Sequence, residues 1–532
     1  MHATSAFRAL ARRAWGDGRT RTVSFALLFG LAALIQVVGY EHSYPSVADR
    51  TQFATNFGDN KAIRLFYGVP HDLLTVGGYA AWRVGGVLAI FAAVWGIFAA
   101  VRAQRAEEDD GRAEIVLAGP LGRGTVFAAG LVGVGAGAAL LWAATWLGLV
   151  AGGLAAGSSA YLALEVAAVA AVFVGVGSLA SQLAPSRRLA LGLGTAVFAA
   201  AFALRIVADT AGSLGWLRWA TPLGWAEEMQ PFTEAQPAVL LLMAAATAAL
   251  LVAAARIAIR RDVGTGLIRS SDSAPPRMRL LSSPAALALR GERGQLTGWF
   301  AGIAVYAILT GLLADTFSAE NLSRSVREEL RKFGGASLIT PKGALGFYFL
   351  FFAFAISLFA CAQMTAARHE EAESRLETLF ALPVGRRGWL LGRLALAVAG
   401  IVALALAAAL LAWAAAATQS AGIGLVAALE AGANTVPASL LFLGLAALAF
   451  ATVPRATAGI AYGLVAVAFL WYLFGALLGA PQWTLDLSPF QHVAPVPAQP
   501  FKVPEALAMV AIGVAASLAA LAAFRRRDVL GA

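Results

Sequence analysis

The chain has 532 residues, 59% of them hydrophobic and only 13% charged. Soluble domains carry about 25% charged residues, so a soluble globular fold is excluded. The net charge of +10 does not call for nucleic acid, because a helical membrane protein collects its basic residues in the loops on its cytoplasmic side. The apolar runs are of the length a helix needs to cross the hydrocarbon core, about 20 residues, and far longer than the strands of a barrel. Cys361 stands alone, and His2, His42, His71, His369 and His492 are scattered without ligand-spaced partners. Neither a disulfide nor a metal site is expected.

In chain order, Phe7, Leu10, Ala14 and Trp15 interleave with Arg8, Arg12 and Arg13. That pattern predicts a helix lying in the cytoplasmic interface, ahead of a retained first span rather than a cleaved signal. Six spans follow at roughly 23–40, 77–101, 125–150, 160–183, 189–209 and 238–258. Six more are placed at 298–315, 344–366, 389–415, 435–452, 457–479 and 504–524. Between the two sets lies a turn-rich stretch, SSDSAPP at 270–276. Pro284 then opens a second interfacial helix in which Leu287 and Leu289 mix with Arg290 and Arg293. With the N-terminus inside, the inner segments hold 28 Arg and no Lys, against 10 basic residues outside. Both termini are therefore expected in the cytoplasm. On the outer side, 319–333 reads as a charged helical segment, and the loops at 213–236 and 480–500 are rich in Trp, Pro and Phe. Trp216, Trp219 and Trp225 suit the membrane interface.

The second half repeats the first. Residues 105–124, RAEEDDGRAEIVLAGPLGRG, and 368–387, RHEEAESRLETLFALPVGRR, share nine identities in twenty at an offset of 263. Glu165 matches Glu430, Pro222 matches Pro489, and Arg261-Asp262-Val263 matches Arg527-Asp528-Val529 at nearly the same offset. The expected architecture is an all-α polytopic membrane protein of twelve transmembrane helices in two parallel six-helix repeats. The halves span 1–262 and 284–532, joined by a cytoplasmic linker at 263–283. Six spans per half is even, so a pseudo-twofold axis along the membrane normal should relate them.

The repeated acidic loop carries the strongest functional signal. Glu107, Asp110 and Glu114 recur at helical spacing, as do Glu370, Glu373 and Glu377, which places each set on one helix face. Glu108 with Arg112, and Glu371 with Arg375, stand at the favourable i,i+4 spacing. Pro120 and Pro383 end the helix, and Gly122-Arg123 and Gly385-Arg386 make the turn. A solvated charged helix is the simplest reading of one copy; two near-copies point to two docking surfaces.

This pattern, E-x-x-x-x-R-x-E followed by an apolar turn and P-[LV]-G-R, resembles the cytoplasmic coupling loop of ABC export permeases. Thr221-Pro222-Leu223 and Ser488-Pro489-Phe490 stand where that family has an outer hairpin, and the fused double length resembles the polyketide-antibiotic (tetronasin-type) exporters. The resemblance implies a multi-pass permease of the plasma (inner) membrane, a transport subunit and not an enzyme, exporting hydrophobic or amphipathic small molecules. It further implies two copies of a cytoplasmic ABC ATPase bound through the two loops, with ATP and Mg held by that partner. Consistently, the chain has no Gly-Lys dipeptide and so no P-loop of its own. In the first loop Ala113-Glu114-Ile115 stands where the second has Leu376-Glu377-Thr378, the closer match to the family.

Charges inside the spans are few. Arg83, Arg205 and Asp209 lie near outer ends and are expected to snorkel, and Glu165 and Glu430 to reach water as helix-end carboxylates. The midplane lacks carboxylates, which argues against the alternative of an ion-gradient-driven transporter of the major facilitator type. A membrane-embedded transferase is disfavoured because the acidic clusters lie on the side that would face the ATPase. An apolar substrate path would be walled by Phe91, Trp95, Phe198, Phe202, Phe349, Phe352, Phe469 and Trp471. Gly133 and Gly137 read as a helix-packing pair.

Overall fold

The computed structural model describes residues 2–58, 64, 67–119, 121–210, 213–268, 283–313, 340–419, 422–474 and 481–528. The linker stretch 270–276, the segment 319–333 and Pro120 lie outside the described residues. The described chain is helical without strands, and twelve of its helices are long and apolar enough to cross a membrane. That is the solution lipid imposes, because a helix satisfies its backbone hydrogen bonds within one segment.

The chain divides into two compact units, Met1–Ala274 and Pro275–Ala532. Unit 1 consists of α1 (His2–Ser43), α2 (Val47–Phe57), α3 (Val76–Asp109), α4 (Arg112–Leu117), α5 (Arg123–Ala151), α6 (Ala156–Leu183), α7 (Arg187–Thr210), α8 (Pro222–Glu228) and α9 (Ala238–Arg260). Unit 2 consists of α10 (Pro284–Leu313), α11 (Pro341–Ala372), α12 (Arg375–Phe380), α13 (Arg386–Thr418), α14 (Leu425–Thr452), α15 (Thr457–Phe474) and α16 (Val503–Arg526). Sequence marks the starts of these helices. Thr340 accepts a hydrogen bond from the Gly343 amide at 3.0 Å with Pro341 in the first turn, and α5 and α13 each begin directly after a glycine in extended conformation.

Within each unit the same spans pair. In unit 1 α1 packs on α5, α3 on α6, and α6 on α9; in unit 2 α10 packs on α13, α11 on α14, and α14 on α16. The predicted interfacial helices are not separate. The amphipathic residues 7–15 continue without a break into the first span as α1, and 284–293 into α10. Residues 7–15 contain no Gly or Pro, α10 runs on through Gly291, and Ala14 and Trp15 have a surface to pack on, since a Cβ at Gly133 would lie against both.

Glycine sets the closest approaches. A Cβ at Gly148 would meet the Gly30 backbone of α1, and one at Gly444 would meet the Gly513 backbone of α16. Gly137 receives the Trp95 indole, and Gly400 receives the Phe359 ring. The two glycines stand 263 apart and the two aromatics 264 apart, yet Glu107 and Glu370 return to 263. The surplus residue in unit 1 is taken up by a π-helical turn at Arg102–Ala106, absent from the regular helix α11. Each π turn accommodates more residues per turn than the α-helix around it.

Replacing Gly148 or Gly444 by valine is expected to push apart two helices whose backbones touch, lowering the thermal midpoint of the detergent-solubilised protein. Gly135→Ala, where a Cβ meets nothing within 4 Å, should leave it in place or raise it slightly. Fluorescence-detected size-exclusion chromatography after heating reads the order of the three.

Candidate functional site

The acidic loop is built differently from the single helix that its spacing predicts. In unit 1 α3 runs on to Asp109, the chain turns through Gly111 at φ +71°, and α4 starts afresh. In unit 2 Ser374 takes the same left-handed turn at φ +57° between α11 and α12. Glu107, Asp110 and Glu114 therefore do not share one helix face, nor do Glu370, Glu373 and Glu377. The i,i+4 pairs also do not form. Arg112 turns back to Glu107 (Nη2–Oε1 2.6 Å) and Asp110 (2.6 Å), and Arg375 pairs with Glu373. Glu107 accepts two hydrogen bonds from Arg112, which raises the pKa of its guanidinium.

The freed glutamates turn inward, onto the end of the last span in the same unit. Arg261 holds Glu108 in a two-pronged pair, with Nη1–Oε2 at 2.9 Å. In unit 2 Arg527 holds Glu371 at 2.5 Å. Both arginines belong to the Arg-Asp-Val motif that the sequence repeats, and the pairs join residues 153 and 156 positions apart. A second arginine locks each brace: Arg123 donates to the Arg261 carbonyl oxygen at 2.5 Å, and Arg386 to the Arg527 carbonyl oxygen at 2.6 Å. In unit 1 the brace extends through buried side chains. Arg261 donates to Gln182 at 2.8 Å, Gln182 to Gln104 at 2.9 Å, and Gln104 to Ser178 at 2.8 Å. In unit 2 the Arg527 guanidinium lies over the Phe450 and Phe524 rings, 5.3 and 5.4 Å from their centroids.

Each short helix is seated by one residue, Ala113 in α4 and Leu376 in α12, both buried. Next to them, Glu114 and Ile115, and Glu377 and Thr378, face outward, with Ile115 76% exposed. Pro383 is exposed and Leu382 beside it 57% exposed. Leu376 fills its socket with a larger side chain than Ala113 does, so α12 is the more firmly seated.

Unit 1 also holds a cavity of about 630 Å³ at this end. It lies between α1, α3 and α5, with Trp15, Trp95, Phe98, Val126 and Phe127 on its walls and Arg13, Glu107, Glu108 and Arg261 along its edge. Trp95 alone of the predicted path residues lines it. Phe91 is exposed on the outside of its helix. Phe198 and Phe202 stack on each other at 6.0 Å, half buried. Phe349, Phe352 and Phe469 are core residues, packed on Tyr306, Phe354 and Phe490, and Trp471 donates to the Thr484 carbonyl at 2.8 Å.

At the opposite end of unit 1, Arg205 and Asp209 do not snorkel. They are buried beside Glu227 and the half-buried Arg218: Arg205–Asp209 3.6 Å, Arg205–Glu227 3.5 Å, Arg218–Asp209 2.8 Å. Burial pushes the Glu227 carboxyl well up, Arg205 opposing it and Asp209 adding to it. Glu165 is buried and, with Arg205 and Glu227, lines a small cavity at this end, whereas Glu430 is exposed. Thr221 caps α8 through the Gly224 amide at 3.0 Å, so the Thr-Pro-Leu signature is a helix start.

The sequence profile of the C-terminal domain of the multidrug efflux system permease Rv1217c matches the chain over residues 19–260 and again over 281–525. The chain is also 34% identical over 502 residues to the multidrug efflux system permease protein Rv1217c of Mycobacterium tuberculosis (strain ATCC 25618 / H37Rv), covering 93% of this chain and 90% of the relative. The chain belongs to this multidrug efflux permease family. It is accordingly a multi-pass membrane permease, with twelve helices fit to span the bilayer. The matched stretches take in both acidic loops with Arg123 and Arg386, and end just before Arg261 and Arg527.

Arg527→Ala takes from the fully buried Glu371 its partner at the end of α16 and leaves it Arg368 at 3.4 Å; breaking a buried pair costs up to about 3–5 kcal/mol. Amide exchange across 370–380 should speed up strongly in this variant while exchange in 425–452 stays slow. Unchanged exchange in 370–380 would show that the brace does not hold the loop.

Proposed function

We propose that this chain is the permease of an ATP-driven exporter of the ABC type, that its arginine-rich end faces the cytoplasm, and that α4 and α12 are docking points for two copies of a separate ATPase. The observation that carries this reading is the repeated brace. In both units the loop after the second span presents an exposed Glu and an apolar neighbour on a short helix, while an inward Glu is clamped to the end of the sixth span. A surface built to receive a force needs such a link, since a loop held only by its own flanks would flex instead of moving the spans.

Each set of loop residues then has a distinct role. Glu114, Ile115, Glu377 and Thr378 contact the partner. Glu108, Arg123, Glu371 and Arg386 transmit, and Glu107, Asp110, Arg112, Glu370, Glu373 and Arg375 shape the loop. Glu370 lies 3.6 Å from Arg393 of α13, which ties the loop to a further span. ATP and Mg belong to the partner, because this chain has no P-loop motif. The substrates are hydrophobic or amphipathic small molecules such as drugs or antibiotics, in keeping with the name of the M. tuberculosis relative, and the site of action is the plasma membrane.

The test is co-purification of the tagged chain from its host in mild detergent. A P-loop ATPase at about two copies per chain is expected, lost in Glu114→Arg/Glu377→Arg and retained in the conservative pair Glu114→Asp/Glu377→Asp. The single Glu377→Arg variant should lose more partner than Glu114→Arg, because α12 is the better seated. A chain that purifies alone yet transports under an ion gradient would overturn the reading.

A further inference from the structure

At the offset of 263 that relates the two loops, Val126 and Gly130 of unit 1 correspond to Trp389 and Arg393 of unit 2. Trp389 is 1% exposed and stacks on Phe524 at 5.5 Å. Arg393 is 2% exposed and pairs with Glu292 of α10 at 2.5 Å. Unit 2 thus fills with an indole and a paired guanidinium positions where unit 1 has a valine and no side chain. Both Val126 and Gly130 line the cavity of about 630 Å³, a volume within the range of about 300–1,000 Å³ usual for small-molecule pockets.

The charges at its edge do not cancel. Glu107 is taken by Arg13 and Arg112, Glu108 by Arg105 and Arg261, and Asp17 by Arg13. Arg21, Arg102 and Arg187 also line the cavity, and among the described residues their side chains pair with no carboxylate. Three uncompensated guanidiniums over tryptophan and phenylalanine walls match a ligand with an apolar body and an anionic head, since charge-assisted bonds from Arg to carboxylate or phosphate are about twice as strong as neutral ones.

We propose that the cavity of unit 1 is a binding site for anionic amphiphiles, present in the first half and filled in the second. The inference rests on the export reading and names a substrate class for it. An anionic lipid and an exported compound share this chemistry.

The full-length chain in zwitterionic nanodiscs is irradiated with a palmitic acid bearing a mid-chain diazirine, and separately with the corresponding amine. The carboxylate is expected to label peptides containing Trp15, Trp95 or Phe127, and the amine about tenfold less. Arg102→Gln/Arg187→Gln should lower carboxylate labelling by about tenfold. Gly130→Trp should block both probes: a Cβ at 130 lies 3.4 Å from the Ala103 carbonyl oxygen, an ordinary contact, so the side chain can enter the cavity. If that variant does not fold, the double glutamine variant decides alone. Labelling suppressed by adding phosphatidylglycerol supports the site with a membrane lipid as occupant; labelling that survives supports it with a free amphiphile. Equal labelling by the two probes, or labelling unchanged by the glutamines, overturns the proposal. The assay contains no ATPase, so its failure leaves the docking reading intact, and lost docking leaves this binding intact.

Discussion

Each unit depends on one ion pair, between a glutamate where the second span ends and an arginine where the sixth span ends. Arg261 with Glu108 and Arg527 with Glu371 close a loop of chain more than 150 residues long. Removing Arg261 or Arg527 would leave its glutamate, half-buried or buried, with Arg105 or Arg368 in place of two arginines. The remaining features of this end follow from the pair. With Glu108 and Glu371 turned inward, the chain must reverse at Gly111 and Ser374 before a new helix can start. The new helix then presents its next glutamate outward, and Arg123 and Arg386 fix the backbone that the pair holds. A residue that looks like part of a docking surface can in this way be the means by which the surface is fastened.

Much of this was legible in the sequence. The twelve spans follow from apolar run length alone, and the repeated loop could be found because the constraint acts twice on the same twenty residues. The sequence could not show the direction in which each carboxylate points. Spacing at i,i+4 suggested Glu108 with Arg112, but the αL turn at Gly111 breaks that register, and Arg261 offers the better-buried partner. Gly111 carries a signal for such a turn; Ser374 carries none, since serine enters this region rarely. The π turn at Arg102–Ala106 has no residue signature either, although the one-residue shift in offset between Trp95/Phe359 and Glu107/Glu370 records it. Gln104, Ser178 and Gln182 could have been noticed as polar residues within apolar spans, where an unpaired amide is costly.

The two units keep the loop brace and differ elsewhere. Unit 1 buries Arg205, Asp209, Glu227 and Glu165 near one end, and leaves open the space by Gly130 near the other. Unit 2 exposes Glu430 and closes the matching position with Trp389 and Arg393. Such a pattern is what duplication produces when a shared mechanical requirement holds one part of each half constant and the ligand-facing parts are released to diverge. Of the aromatic residues proposed for a path, Phe349, Phe352 and Phe469 pack in the core of unit 2 and Trp95 lines the cavity of unit 1; aromatic side chains in a helical bundle readily fill the space between helices.

The central claim is that α4 and α12 each meet an ATPase. The native cysteine, Cys361, is fully buried, so single reactive thiols can be placed at Ile115 and at Thr378 in the otherwise natural chain. Reacted with a short photo-activated crosslinker in native membranes, each variant is predicted to capture the same P-loop ATPase, with the crosslinked peptide on the surface of its nucleotide-binding domain. Capture of no ATPase from either position, by variants that still export, would contradict the account.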